Sequence, residues 1–97
     1  MNAFLLPQPL FPLGRTLITP GALDLLANFN QSPSSLLFRH ASGDWGCVCE
    51  EDATANTSAV NDGSRILSAF SVGGFTTVWI ITEADRSSTT ILLPEEY

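Results

Sequence analysis

The last third of the chain, RILSAFSVGGFTTVWIITEADRSSTTILLPEEY from Arg65 to Tyr97, limits the fold most. Three runs rich in β-branched and aromatic residues, Arg65 to Val72, Thr76 to Thr82 and Thr89 to Leu93, are joined through Gly73-Gly74 and Phe75 and through Glu83-Ala84-Asp85-Arg86-Ser87-Ser88. Connections this short join antiparallel neighbours, because a parallel pair needs a crossover of about a dozen residues or more. The stretch therefore reads as a three-stranded antiparallel meander. Val78, Ile80 and Thr82 alternate with Trp79, Ile81 and Glu83, so bulky side chains occupy both faces. Both faces need cover, one from helices and the other from an N-terminal arm or a partner. Pro94 ends pairing on the last strand.

Upstream, two helix starts follow each other closely. Thr19 is placed to cap a helix that opens on Pro20, carries Leu23, Leu25, Leu26 and Phe29, and ends at Asn28 to Asn30. Ser32-Pro33 repeats the signal, and the second helix runs through Leu36, Leu37 and His40 to a stop at Gly43. Asp44-Trp45-Gly46 is a turn. Glu50, Glu51 and Asp52 then load acid onto the start of a third, weaker helix, where negative charge suits the amide end of the dipole. Ala53, Ala55, Ala59 and Val60 give that helix a small apolar side, and Asn61-Asp62-Gly63 closes it. Thr16-Leu17-Ile18 can add a fourth strand.

Residues Met1 to Leu13 hold Pro7, Pro9 and Pro12 among large apolar residues, a pattern for an extended arm. The arm packs on the domain or docks on a second subunit, since so much apolar surface is costly to leave wet. With 97 residues there is room for one domain: the arm at 1–13, a strand and helices at 14–63, and the meander at 64–97. The expected class is α+β, with two layers. Two or three short N-terminal helices lie on a mainly antiparallel sheet of three to four strands.

Ten acids against four bases give a formal charge of −6, which disfavours a sequence-independent nucleic-acid clamp. All four bases are arginines, Arg15, Arg39, Arg65 and Arg86. That points to planar forks that pair carboxylates or hold loops, or to codon bias in a GC-rich genome. Cys47 and Cys49 stand too close for an ordinary mutual disulfide. The apolar start lacks a basic segment and is broken by prolines, so a secretory signal is not expected, and no apolar run reaches a membrane-span length of about 20 residues. A soluble, cytoplasmic protein is the expectation.

Three constellations carry candidate chemistry. His40, Asp44, Cys47, Cys49 and Glu50 offer zinc-type ligands, but one histidine and no C-x-x-C pair match no standard spacing. The alternative is that His40 packs the end of its helix and the cysteines are small buried side chains. A small nuclease would use His40 for proton transfer, Arg65 or Arg86 against phosphate, and Glu51 or Glu83 as the second proton-transfer group. Cysteine nucleophilic chemistry would need His40 to activate Cys47 or Cys49, and nothing in the local string supplies a helix N-terminus or a positive setting. The turn from Glu83 to Thr90 holds more donors and acceptors than a plain hairpin needs. Arg86 either pairs with Asp85, Glu83 or the Glu50-Glu51-Asp52 start, or belongs to a recognition loop. Trp45 is either core or an interface anchor.

The strings TPGAL (19–23), HASGDWG (40–46), EED with Asn56, RILSAF (65–70) and WIITEADRSSTTILLPEEY (79–97) carry a family likeness. The chain resembles small bacterial proteins found on plasmids and integrated elements, labelled "plasmid-related protein" or "type I restriction endonuclease subunit M". A methyltransferase subunit needs a cofactor-binding glycine loop and an N/D-P-P-F/Y-type motif, and this sequence has neither. The resemblance implies an accessory protein of a mobile element, with no catalytic residues to carry over and no cofactor. The leading expectation is a non-enzymatic protein that binds a host or element-encoded protein, in defence or counter-defence. Its contact residues are Asp44, Trp45, Glu83, Asp85 and Arg86. The alternative is a small nuclease-like enzyme with His40, Glu51, Arg65 and Arg86.

Overall fold

A computed structural model describes residues 8–97; the first seven residues of the arm lie outside the described residues. Both proline-started helices form where their caps place them. The Thr19 hydroxyl accepts from the Ala22 amide at 3.2 Å, and α1 runs Pro20–Asn28. The Ser32 hydroxyl accepts from the Ser35 amide, and α2 runs Pro33–Ala41, two residues short of Gly43. The third helix, α3, spans Glu50–Asp62 and stops at Gly63, whose φ of 79° is the left-handed cap that a residue without Cβ takes most easily.

Four strands make one sheet: β1 at Arg15–Ile18, β2 at Ile66–Val72, β3 at Thr76–Thr82 and β4 at Ser88–Leu92. The meander is antiparallel throughout, with Phe70 opposite Val78 and Ile80 opposite Ile91. β1 joins the far side of β4 in parallel, Ile18 beside Ile91, so the spatial order is β1-β4-β3-β2. The fold is α+β, helices on a mixed four-stranded sheet.

Alternation along the strands sorts the core. Phe70, Val72, Val78, Ile80 and Ile91 meet Ala22 and Leu26 of α1 and Leu36 of α2. Each of these side chains is almost wholly buried, and full burial of a residue of this kind contributes about 1.5–3 kcal/mol. A second cluster joins Phe11, Trp45, Ala59 and Ile66, packed under Leu13, Val48, Ala53 and Val60. Phe11 and Leu13 of the arm thus pack on the helix side of the sheet. The opposite face is covered instead from the C-terminus, where Tyr97 sets its ring edge-on to Trp79 at 5.8 Å. The short 3-10 turn Pro94–Glu96 brings it there, and the Glu96 carboxylate accepts from the Thr19 hydroxyl at 2.7 Å. No helix among the described residues is long and apolar enough to cross a membrane.

Candidate functional site

His40 has no exposed surface. It projects from the last turn of α2 onto the inner face of the sheet. Its Nδ1 lies 2.5 Å from the Ser68 hydroxyl and its Nε2 2.9 Å from the Thr82 hydroxyl. Thr82 is in turn 2.7 Å from Thr89, and the Thr89 hydroxyl donates to the Leu13 carbonyl at 2.7 Å. The direction of the whole chain follows from that last bond, because a carbonyl can only accept. Thr89 has its one hydrogen on Leu13, so Thr82 donates to Thr89. Thr82 then accepts from Nε2–H of His40, and in the neutral ring, which burial favours, Nδ1 accepts from Ser68. The ring is neutral and in a single tautomer. Burial pushes its pKa down from 6.5 to about 4.

Apolar rings seal this polar chain. Phe11 meets His40 edge-on at 5.3 Å and stacks on Trp45 at 6.2 Å. Trp45 is buried, its indole N–H donating to the Thr57 hydroxyl at 3.3 Å, so it is a core wedge and presents no face to a partner. Asp44 is half-exposed and bonded to Arg39 at 2.7 Å, and its other oxygen accepts from the Gly46 amide. The Arg39 hydrogen bond holds the Asp44 carboxyl below its usual range.

Two expectations about the cysteines are corrected. Both thiols are exposed, not buried. Cys49 is also the residue capping α3, so a helix N-terminus does stand beside it, although Glu50, Glu51 and Asp52 fill the first turn with negative charge. Among the described residues, no three of histidine, cysteine, aspartate and glutamate gather as metal ligands.

Arg86 is a clamp on the end of α3. Its guanidinium donates to the carbonyls of Ala59 and Ser64 at 2.7 Å and Glu83 at 3.2 Å, and lies 5.6 Å above the Phe11 ring. The sequence offered carboxylates as its partners; the fold supplies carbonyls, because the turn lies against the C-terminal end of α3, where the Ala59 carbonyl, already bonded to the Gly63 amide, takes a second donor. Arg65 lies on the other face, donating to the Tyr97 hydroxyl with its guanidinium over that ring. Glu51 is exposed on the first turn of α3. His40, Glu51, Arg65 and Arg86 therefore share no cleft. In the turn itself, Glu83 and Asp85 face solvent, and Ser87, through its hydroxyl and its amide, holds the Asp85 carboxyl below its usual range.

The two sheet edges differ. At the β2 edge the Asn56 side chain acts as a strand, donating to the Leu67 carbonyl at 2.7 Å and accepting from its amide at 3.1 Å. Two residues on, the Ala69 amide donates to Trp45 and its carbonyl accepts from the Cys47 amide. That edge is blunted at Leu67 and Ala69, leaving Ser71 as its outward-facing residue. At β1 the amides of Arg15 and Thr19 reach Ser87 and Ile91, so Arg15, Leu17 and Thr19 face β4. Thr16 and Ile18 turn their backbone groups outward, and no strand among the described residues pairs with them. Beside this edge runs a groove of ≈ 210 Å³ between β1 and the α2 residues Pro33, Ser34 and Leu37. Ser34 and Leu37 also line a neighbouring cavity of ≈ 340 Å³, with Pro9, Leu13, Phe38 and Ala41.

No family model, curated protein or solved structure matches the chain. The geometry alone carries the functional argument.

Sequence reasoning singled out His40, Trp45 and Arg86, and all three prove central to folding. It passed over Ser68, Thr82 and Thr89. Their signal was present, since each falls two residues from an apolar core-facing residue of its strand, Ile66 and Phe70 for Ser68, Ile80 for Thr82 and Ile91 for Thr89. The β1 edge had no signal, because the partner that leaves it outermost lies more than 70 residues away.

Proposed function

We propose that this chain is a non-enzymatic accessory protein of a mobile genetic element, working in the cytoplasm and binding a host or element-encoded protein in defence or counter-defence. One observation supports the reading. The histidine and arginines that chemistry would need, His40, Arg39, Arg65 and Arg86, are held in bonds and ring contacts within the chain, whereas Glu83 and Asp85, the latter fixed by the Ser87 amide, are exposed to solvent on a turn braced by Arg86. A ring with both nitrogens engaged and no exposed surface cannot reach a substrate proton. A rigid turn with outward carboxylates suits a basic patch on a partner protein, where charge sets the encounter rate and the register.

The test combines capture with a charge swap. The full chain, immobilised, recovers a defined protein from the native host, and Glu83→Arg with Asp85→Arg abolishes that recovery while circular dichroism stays unchanged. Recovery indifferent to the swap, or cleavage of RNA or DNA that disappears in His40→Ala, would replace this reading with another.

A further inference from the structure

We infer that β1 is a self-association edge, at which two copies of this chain pair antiparallel about a twofold axis through Leu17. This surface is separate from the turn assigned to the partner contact. Three observations converge on a second copy as the occupant.

The first is the contrast between edges. Natural sheets close or blunt their edges because unpaired amides and carbonyls template further strands. This fold blunts β2 with an asparagine side chain and a one-residue bridge, yet leaves Thr16 and Ile18 of β1 facing outward.

The second is self-complementarity. The outward residues lie two apart with Leu17 between them, so an antiparallel copy places Thr16 opposite Ile18 and Ile18 opposite Thr16, completing four hydrogen bonds. Leu17 meets its own counterpart as the close pair at the centre, and 42% of its surface is exposed in the single chain. A four-residue strand does not by itself reach the roughly 800 Å² per partner of a stable interface. The α2 wall beside it extends the apolar area, with Phe38 51% and Leu10 53% exposed.

The third is charge. Nine of the ten acids lie at or beyond Asp44, and between Gln8 and Gly43 the only one is Asp24 on α1. An acidic chain of −6 repels its copies over most of its surface. The arm, β1 and α2 carry no acid of their own, and the two carboxylates that reach them, Glu96 on Thr19 and Asp44 on Arg39, are both hydrogen-bonded, so this is the least acidic wall by which two copies can meet.

The experiment uses the full chain. Sedimentation equilibrium is expected to give a dimer, and Leu17→Lys, which sets two like charges against each other on the axis, to raise its dissociation constant at least about tenfold with an unchanged dichroism spectrum. In a background of Cys47→Ser and Cys49→Ser, Leu17→Cys is expected to form a covalent dimer on mild oxidation, since close antiparallel pairs lie within disulfide reach. Leu23→Cys, exposed on α1, is the control and stays uncoupled. A wild-type chain that remains monomeric at the highest concentration reached, a dimer unmoved by Leu17→Lys, or equal cross-linking at positions 17 and 23 would each overturn the inference. None of these outcomes bears on the partner contact at Glu83 and Asp85, which is read by capture.

Discussion

His40 shows how one side chain can be indispensable without being reactive. Its two nitrogens join α2 to β2 and β3, and through Thr82 and Thr89 to the arm at Leu13, so a single imidazole ties four parts of the chain. Protonation would put a second N–H against Ser68 in a site with no carboxylate to receive it. The folded-state pKa of about 4 lies below the free value of 6.5, so between these values the unfolded chain binds the proton that the folded chain excludes. Stability is therefore complete above pH 6.5, falls as pH drops towards 4, and loses about 3 kcal/mol across the window. Urea unfolding at a series of pH values checks this. Wild type should lose stability from pH 6.5 to 4, and His40→Gln, less stable at pH 7, should show a much flatter slope. The presence of a lone histidine near a helix end was plain in the residues. Its neutrality was not, because the hydroxyls that orient it come from positions 28 to 49 residues away.

At the scale of elements, local chemistry decided where helices begin and long-range geometry decided what each edge does. Thr19-Pro20 and Ser32-Pro33 start helices because the hydroxyl and the fixed proline φ both act within one turn. The segment Asp44 to Cys47 is different. Its turn was legible from Gly43 and Gly46, but its use as a one-residue strand on β2 was not. Gly46 has φ of 73°, and a Cβ there would fall 1.9 Å from the Ala69 carbonyl oxygen. Gly63 has nearly the same φ, 79°, and nothing within 4 Å. Both glycines share the left-handed cost of about 1–2 kcal/mol for a residue with a Cβ. Gly63→Ala should cost that much. Gly46→Ala should cost about 3 kcal/mol or more, because the bridge to β2 must open as well. Chemical denaturation of the two variants side by side measures the difference, and equal losses would show that the bridge adds nothing.

For the whole molecule, the arrangement of charge matters more than its sum. Eight of the ten acids sit on α3, on the Glu83 to Ser88 turn and at the C-terminus, and β1, α2 and the described part of the arm contribute none, the Glu96 and Asp44 carboxylates that reach them being bonded to Thr19 and Arg39. The molecule measures 35 × 34 × 25 Å, close to the screening length of about 30 Å at 0.01 M salt. At that salt one copy feels all the acids of the other; at 0.15 M, where the length is about 8 Å, it feels mainly the charges at the contact, where Arg15 and Arg39 offset Glu96 and Asp44. Self-association should therefore tighten several-fold between these salt concentrations and then level off, as sedimentation at each would record. A dimer weakened by salt would point to ion pairs in the contact instead. The α+β class, the helix starts and the antiparallel meander could all be read from the chain, since capping, turn chemistry and strand alternation act over a few neighbouring residues. The parallel docking of β1, the blunting of β2 by Asn56, the role of Arg86 as a helix clamp and the burial of His40 could not. Each depends on which distant backbone and hydroxyl groups the assembled sheet brings within reach, and that inventory exists only in three dimensions.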